Sequence, residues 1–167
     1  MKPKTVGRKQ SGLIPQMRTE FTHVGLMAGT ILLTADDDTP IDLLVPGDRI
    51  VTRNAGLVPL EAITSERITV EAVAIAADAF GASHPRQDVV MPAAQMVLVR
   101  DWRAKALHGA TQAVMPAGCL IDDHLITSLG PREMTLFRLG FHAPYVIYAE
   151  GLEISIPALR AADAVAA

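Results

Sequence analysis

The stretch that decides the fold runs from Gly25 to Ile63, GLMAGTILLTADDDTPIDLLVPGDRIVTRNAGLVPLEAI. Short apolar runs alternate in it with clusters of turn-forming residues. Val45-Pro46-Gly47-Asp48 is typical of a type II turn, because proline holds φ near about −65° at the second position and glycine supplies the positive φ at the third. We therefore predict strands over 31–34, 49–52 and 57–63, with a turn over 36–40.

Similar short apolar runs, separated by turn signals, continue to residue 157. Ile68, Val70 and Ala72 alternate with polar residues, which is the period of a half-buried strand. Gly130-Pro131 predicts a turn, and Trp102 to His108 is read as a short helix or an excursion of the chain. Further strands are predicted over 96–99, 111–115, 134–139, 145–148 and 152–156. This pattern indicates an all-β domain, since no long amphipathic helix is present to cover a parallel sheet.

The composition limits which residues can fill the core and which classes of partner the protein can bind. Of 167 residues, 50% are apolar but only 4% aromatic, so Val, Ile, Leu, Met and Ala must fill the core. A net charge of −3 argues against general nucleic-acid binding. No segment approaches the roughly 20 apolar residues of a membrane span. Cys119 is the only cysteine, which excludes an intramolecular disulfide, and we expect it to be buried as a small apolar residue.

The ends of the chain differ from its middle. The first twenty positions contain five basic residues and one acidic residue, Glu20. We therefore expect residues 1–24 to form a basic, flexible arm, and prefer this to an arm that contacts an anion or a membrane surface. Residues 25–157 form the predicted β domain, and residues 158–167 an Ala-rich tail. No secretory signal is visible. A cytoplasmic location is the default expectation, with signal-less export left open.

The opening block of the domain resembles that of the Hint (Hedgehog/intein) family, in its bacterial type. In that family a nucleophile-x-x-x-Gly-Thr start precedes Pro-Ile-x-x-Leu-x-Pro-Gly-Asp-x-Val-x-Thr. The chain has Gly25 to Thr30 and then Pro40 to Thr52 in this register. The resemblance implies a horseshoe of two entwined β halves with pseudo-two-fold symmetry. The matching scaffold positions are Gly29, Thr30, Pro46, Gly47, Asp48, Arg100, Asp101 and Trp102.

The residues that the resemblance would make reactive are absent. The family nucleophile corresponds to Gly25, which has no side chain and so cannot attack the preceding carbonyl. Ala94 lies at or next to the position of a histidine that polarises or protonates the scissile amide. Pro144 occupies the position of a second histidine. His142 lies two residues earlier, on the same face of a strand, and is the candidate substitute.

Two functions of different classes follow. The first is a catalytically degenerate Hint-like domain that serves as a binding or assembly module, for an unidentified protein or a second copy of the chain. The second is a self-cleaving domain with a substitute nucleophile. We expect no catalytic residue, cofactor or metal. The groups at 84–88 and 122–124 are interpreted as polar loops, and the acidic run at 36–38 as a turn. Trp102 is interpreted as a packing anchor, with a partner-binding surface as the alternative.

Overall fold

The computed structural model describes residues 23–159 of the chain. All but the last two residues of the predicted basic arm, and all but the first two of the predicted tail, lie outside that range. The described part is a β domain with one α-helix and two single-turn 3₁₀ helices. Its strands are β1 (Leu26–Met27), β2 (Ile31–Thr34), β3 (Asp37–Pro40), β4 (Arg49–Thr52), β5 (Gly56–Pro59), β6 (Ala62–Ile75), β7 (Val89–Pro92), β8 (Met96–Val99), β9 (Ala113–Pro116), β10 (Ile126–Gly140), β11 (Tyr145–Ala149) and β12 (Leu152–Ile156). The helices are α1 (Trp102–His108), with 3₁₀ turns at Ile41–Leu43 and Ala117–Leu120.

The strands form two antiparallel sheets. The four-stranded sheet has the order β1-β10-β6-β7. The eight-stranded sheet has the order β3-β2-β4-β11-β12-β8-β9, and β5 pairs with β4. Every strand pairing is antiparallel, which agrees with the all-β class predicted from the sequence.

Strands β6 and β10 are the longest elements, with 14 and 15 residues. They pair from Ala62 opposite Gly140 to Ile75 opposite Ile126. The predicted turn at Gly130-Pro131 is wrong, because both residues lie inside β10. The register shifts between Ser128 and Gly130, and Gly130 has φ of +67°, so the glycine forms a β-bulge there. A bulge and a tight turn need the same backbone freedom, which is why sequence alone confused them.

Two apolar clusters hold the sheets together. The larger contains aliphatic residues from both sheets, with Phe141 as its one fully buried phenylalanine. This composition agrees with the expectation of an aliphatic core. The smaller cluster belongs to the four-stranded sheet alone and consists of Val70, Ala72, Met134 and Leu136. Gly25 and β1 lie where the two clusters meet, since Leu26 packs in the first and Leu136 in the second.

Three local expectations are corrected. Only the beginning of 36–40 is a turn, because Asp37–Pro40 forms β3 against β2. Cys119 is exposed on a 3₁₀ turn whose neighbours Ala117 and Leu120 take the buried positions. Trp102 is 69% exposed and is therefore not a packing anchor. It occupies the first position of α1, where the buried positions belong to Arg103 and Ala104.

Within residues 23–159, no helix is long and apolar enough to cross a bilayer.

Candidate functional site

Gly25 is a buried glycine whose surroundings leave little room for a side chain. Its φ is +152°, a conformation that L-residues rarely adopt. A Cβ added there would lie 3.1 Å from the Cβ of Leu136 and 3.1 Å from the carbonyl oxygen of Phe137. Contacts of that length are tighter than ordinary packing, so the neighbours would have to move. The position that the resemblance assigns to the nucleophile is thus shaped for glycine.

The peptide nitrogen of Gly25 is held by Gln95. Its N–H donates to Oε1 of Gln95 at 3.0 Å, across 70 positions of sequence. Gln95 is only 2% exposed. Its Nε2 donates to the carbonyl oxygens of Met96 at 3.3 Å and Ser155 at 3.4 Å. One side-chain amide therefore joins the beginning of the domain to β8 and to β12, near the end of the domain.

This arrangement decides what the site can do to the Val24–Gly25 peptide bond. Breaking that bond requires a proton on the departing nitrogen. The atom that faces the nitrogen is a carbonyl oxygen, which accepts a hydrogen bond and has no proton to give. An amide also does not titrate near neutral pH, unlike the imidazole that the resemblance places in this region. Gln95 can position the bond, but it cannot act as the acid.

Sequence reasoning placed the missing histidine at or next to Ala94, and these two neighbouring residues differ in their contacts with Gly25. Ala94 is buried, and its neighbour Gln95 is the residue that reaches Gly25. Gln95 was not singled out from the sequence. The available signal was a polar residue inside an otherwise apolar run from Met91 to Val99, which is a position that demands hydrogen-bond partners.

The other two predicted positions lie on the surface. Pro144 is exposed. Nε2 of His142 is 2.8 Å from the hydroxyl of Tyr145, and its Nδ1 is 3.7 Å from Oε1 of Glu61. The side chain of His142 is 55% exposed. His142 and Pro144 lie between β10 and β11 and not on a strand, as was expected, and among the described residues His142 makes no hydrogen bond to Gly25.

The scaffold motif at the opening block builds its predicted turn. Gly47 has φ of +99°, and the N–H of Asp48 donates to the carbonyl of Val45 at 3.1 Å. Oδ2 of Asp48 also accepts from the N–H of Val45 at 2.9 Å. The type II turn is therefore confirmed, with its aspartate closing the loop. Upstream, the N–H of Gly29 donates to Asp42, which ties the Gly-Thr pair to the first 3₁₀ turn.

The second scaffold motif, Arg100 to Arg103, fastens α1 to the sheet. Arg100 makes two hydrogen bonds to Glu153 of β12, at 2.8 and 2.9 Å. Asp101 caps α1 by accepting from the N–H of Arg103, and it also pairs with the Arg103 guanidinium. Arg103 is buried. The motif is therefore a structural clamp in which the second arginine, rather than the tryptophan, is the buried member.

Arg103 brings two loops and the start of α1 together around its guanidinium. It donates to the carbonyl of Ala79 at 3.2 Å and lies 3.6 Å from Oδ2 of Asp122. Its Cζ is 5.0 Å from the ring centroids of both Phe80 and Trp102. The backbone N–H of Ile126, together with those of His124 and Leu125, lowers the pKa of Asp122, and the charge of Arg103 lowers it further. Asp122 thus organises the 122–124 loop, as expected for a polar loop.

No metal-binding cluster is present in the described part of the chain: residues 23–159 contain no group of three or more His, Cys, Asp or Glu placed to share an ion. Cavities of about 680 and 270 Å³ lie elsewhere among the described residues. The larger lies against the solvent face of the eight-stranded sheet, and neither is lined by Gly25, Gln95 or His142.

The two antiparallel sheets, and the buried Gly25–Gln95 contact just before β1, fit the Hint class of β folds that the opening block resembles. A sequence profile of the Hint domain matches residues 24–155, and the chain belongs to that family. No curated protein matches the chain at a significant level.

Solved structures agree on the fold. A bacterial intein-like domain from Clostridium thermocellum is 13% identical, with a TM-score of 0.52, 81% of this chain covered and 99% of that chain. A crystal structure of a triply substituted gp41-1 intein is 11% identical, with a TM-score of 0.51, 79% of this chain covered and 98% of that chain. A DnaB intein from Synechocystis sp. PCC 6803 is 11% identical, with a TM-score of 0.50, 80% of this chain covered and 99% of that chain. At these identities the likeness concerns the fold alone.

Proposed function

We propose that this chain is a Hint domain that does not rearrange or cleave its own backbone and that acts as a binding or assembly module. One observation carries the proposal: the Gly25 nitrogen is held by the neutral amide of Gln95, at a position with no attacking atom. Nucleophilic rearrangement requires a side-chain sulfur or oxygen at this residue. Its departing nitrogen requires a proton donor, and the side chain in hydrogen-bond contact is an acceptor.

The two losses affect the same step, so their effects do not multiply. Loss of the nucleophile removes the covalent route outright. Loss of a general acid slows such a step by about 10²–10⁴-fold. The buried, fully hydrogen-bonded state of Gln95 supports a site maintained for stability, because a side chain with three partners holds the first strand to β8 and β12.

Reversion variants test which residues account for the inactivity. Gly25→Cys alone should cleave slowly at most, because Gln95 still faces the nitrogen as an acceptor. Gly25→Cys combined with Gln95→His should cleave faster between Val24 and Gly25 in the presence of excess thiol, as measured by intact mass. The matched control is Gly25→Cys combined with Ala94→His, which puts the imidazole on the neighbouring residue.

The outcomes separate the alternatives. Faster cleavage with Gln95→His than with Ala94→His supports the assignment of the Gln95 position. Equally fast cleavage in Gly25→Cys alone would show that another group, with His142 the first to test, supplies the proton. Circular dichroism of each variant confirms folding, because a cysteine at Gly25 is expected to be strained.

A further inference from the structure

The larger cavity is a groove on the solvent face of the eight-stranded sheet, which we call the Tyr148 groove. Its floor is formed by Leu33 of β2, Leu98 of β8 and Tyr148 of β11. These three side chains are only partly buried. Its walls come from the 80–87 loop on one side and from the end of β8 on the other. Its volume of about 680 Å³ lies in the range of natural ligand pockets.

The lining of the Tyr148 groove contains one carboxylate without a cationic partner. Four carboxylates and two arginines line it, namely Asp38, Asp101, Glu150, Glu153, Arg86 and Arg100. Three of the carboxylates are ion-paired with arginines. Glu150 differs, because it accepts from the N–H of Ile31 at 2.8 Å and from Nε2 of Gln87 at 3.2 Å, which are neutral donors. Among the described residues, the uncompensated charge of the groove is therefore negative and lies at Glu150.

Glu150 occupies a turn position that favours other residues. Glu150 and Gly151 form the two-residue turn between β11 and β12, with φ of +52° and +80°. Turns with two positive φ values favour Asn, Asp or Gly at the first position, so a glutamate there carries a backbone cost. A carboxylate has about four lone-pair sites, and hydrogen bonds within the domain occupy two of them at Glu150. Because Glu150 is only partly buried, its remaining sites can accept from a further donor.

This lining suits one long cationic side chain. The methylene stem of a lysine covers apolar surface while its ammonium reaches a carboxylate, which matches an apolar floor beside Glu150. The face of the Tyr148 ring attracts a cation as well. Arg86 and Arg100 repel further positive charges, so the groove suits a single cation and not a cluster of them.

The N-terminal segment of the chain carries side chains of this kind. Residues 1–22 contain five basic residues and one acidic residue, whereas residues 23–159 contain nine Lys and Arg against sixteen Asp and Glu. The two parts of the chain therefore attract each other. Lys9 is the lysine of this segment that is nearest in sequence to the domain, and the apolar pair Leu13-Ile14 follows it. In an extended segment the neighbouring Arg8 points to the opposite side.

The length of the segment allows Lys9 to reach the groove. Gly25 is bonded to Gln95, and Gln95 lies five residues before Arg100, which is about 17 Å along an extended strand. Lys9 precedes Gly25 by sixteen residues, and an extended chain of that length spans about 50 Å. A domain of this size has a radius of gyration of about 14 Å, so this span also allows a path around its edge. A tether of this kind keeps the lysine near the groove at an effective concentration in the millimolar range.

We infer that the Tyr148 groove is the docking site of the N-terminal segment of this same chain, with the ammonium of Lys9 on Glu150. The stem of Lys9 lies across Tyr148, and Leu13-Ile14 covers the apolar floor. The sequence alone indicates a flexible arm, and the groove gives one of its lysines a partner. The inference does not rest on the proposed function, because it concerns the groove and the segment and not the Val24–Gly25 bond.

Crosslinking of the full-length protein with a carbodiimide tests the inference. The reagent joins a lysine to a carboxylate in contact with it as an amide, with loss of water, and peptide mapping by mass spectrometry locates the pair. The lysines of the chain are Lys2, Lys4, Lys9 and Lys105. We expect a Lys9–Glu150 crosslink within the monomer, several-fold more abundant than a crosslink from Lys9 to any other carboxylate.

Variants of each partner, followed by limited trypsin digestion, test the contact in a second way. In Glu150→Gln, trypsin should cleave after Lys9 about two- to fivefold faster than in wild type, because a single ion pair at a surface is worth up to that factor. Glu71→Gln is the matched control, since it removes an exposed glutamate of β6 on the four-stranded sheet, and it should leave the rate unchanged. Raising the salt concentration should bring the wild-type rate to that of Glu150→Gln, since salt screens the pair.

A change in the segment itself guards against misfolding of the domain. The amide oxygen of Glu150→Gln can still accept from the N–H of Ile31, so we expect the variant to fold, and circular dichroism checks this. Lys9→Gln changes no residue of the domain. It should speed cleavage after Arg18 by a similar factor, because the segment has lost its contact with the groove.

Several outcomes would overturn the inference. Crosslinks from Lys9 that spread evenly over the carboxylates of the domain would remove the docking site. A Glu150 crosslink found only in a species of twice the mass would assign the groove to the segment of a second copy of the chain. Equal trypsin rates in wild type, Glu150→Gln and Lys9→Gln would remove the ion pair. Failure of the proposed function would instead appear as loss of the N-terminal segment from the intact mass, which none of these results resembles.

Discussion

Replacing Gly25 with alanine should destabilise the domain by more than an ordinary turn glycine does. The backbone there has φ of +152°, and conformations of this kind cost a non-glycine residue about 1–3 kcal/mol. The new Cβ would also press on Leu136 and Phe137 at 3.1 Å, and overpacking of a well-packed core adds a cost of the order of 1 kcal/mol. We therefore expect a loss of about 2–4 kcal/mol, which lowers Tm by roughly 5–15 °C for a domain of this size.

Gly29→Ala is the matched control. Gly29 also has a positive φ, of +85°, but a Cβ added there meets no atom within 4 Å. Its replacement should therefore cost only the backbone term, about 1–2 kcal/mol. Urea unfolding followed by circular dichroism measures both variants, and the larger loss expected for Gly25→Ala reports the crowding at Gly25 together with the backbone cost of its φ of +152°.

The result that would refute this reasoning is a Gly25→Ala protein as stable as the Gly29→Ala protein, or as stable as the wild type. Either would mean that the site has room for a side chain. The nucleophile position would then accept a side chain, and packing would not explain why it holds a glycine.

Three further predictions concern the residues around this site and the Arg103 clamp. Gln95→Ala should cost about 1–3 kcal/mol in urea unfolding, because it leaves the buried N–H of Gly25 without an acceptor; an unchanged midpoint would contradict the bridging role. Arg103→Met should lower the free energy of unfolding by about 2–4 kcal/mol, because it leaves Asp101 and Asp122 without their cationic partner. Trp102→Ala should cost less than about 1 kcal/mol, because Trp102 is largely exposed. A larger loss for Trp102→Ala than for Arg103→Met would show that Trp102 is the anchor after all. The pKa of Asp122 is lowered in the folded protein. Its ionised carboxylate therefore contributes to the free energy of unfolding above the unfolded pKa of 3.8, and this contribution is lost as the pH falls through the folded pKa. The Tm difference between wild type and Asp122→Asn should therefore be larger at pH 7 than at about pH 3, and a difference that does not change with pH would contradict it.

The parts of the fold that local chemistry determines could be predicted from the sequence. Pro46 and Gly47 supply the two dihedral angles of a type II turn, and the structure has that turn. Apolar alternation found most of the strands, since one face of each is buried. Gly130 was misread because a bulge inside β10 and a turn between two strands place the same demand on the backbone.

The candidate site was only half predictable, because it depends on a contact between distant residues. Gly25 could be identified as lacking a nucleophile from its position in the opening block. Its partnership with Gln95 spans 70 positions, and no local pattern specifies it. The exposure of Trp102 could not be predicted from the sequence either. Arg103 is the buried side chain of this motif, and arginine is rarely found in a protein interior.

The most direct test of the account is the intact mass of the purified wild-type chain after incubation at neutral pH with excess thiol, and in parallel with hydroxylamine. Both reagents capture the thioester or ester that a Hint rearrangement would form. We predict that the mass remains that of the full 167-residue chain in both, because Gly25 has no attacking atom and Gln95 has no proton to donate. A reagent-dependent break between Val24 and Gly25 would contradict the account and show that the domain processes itself.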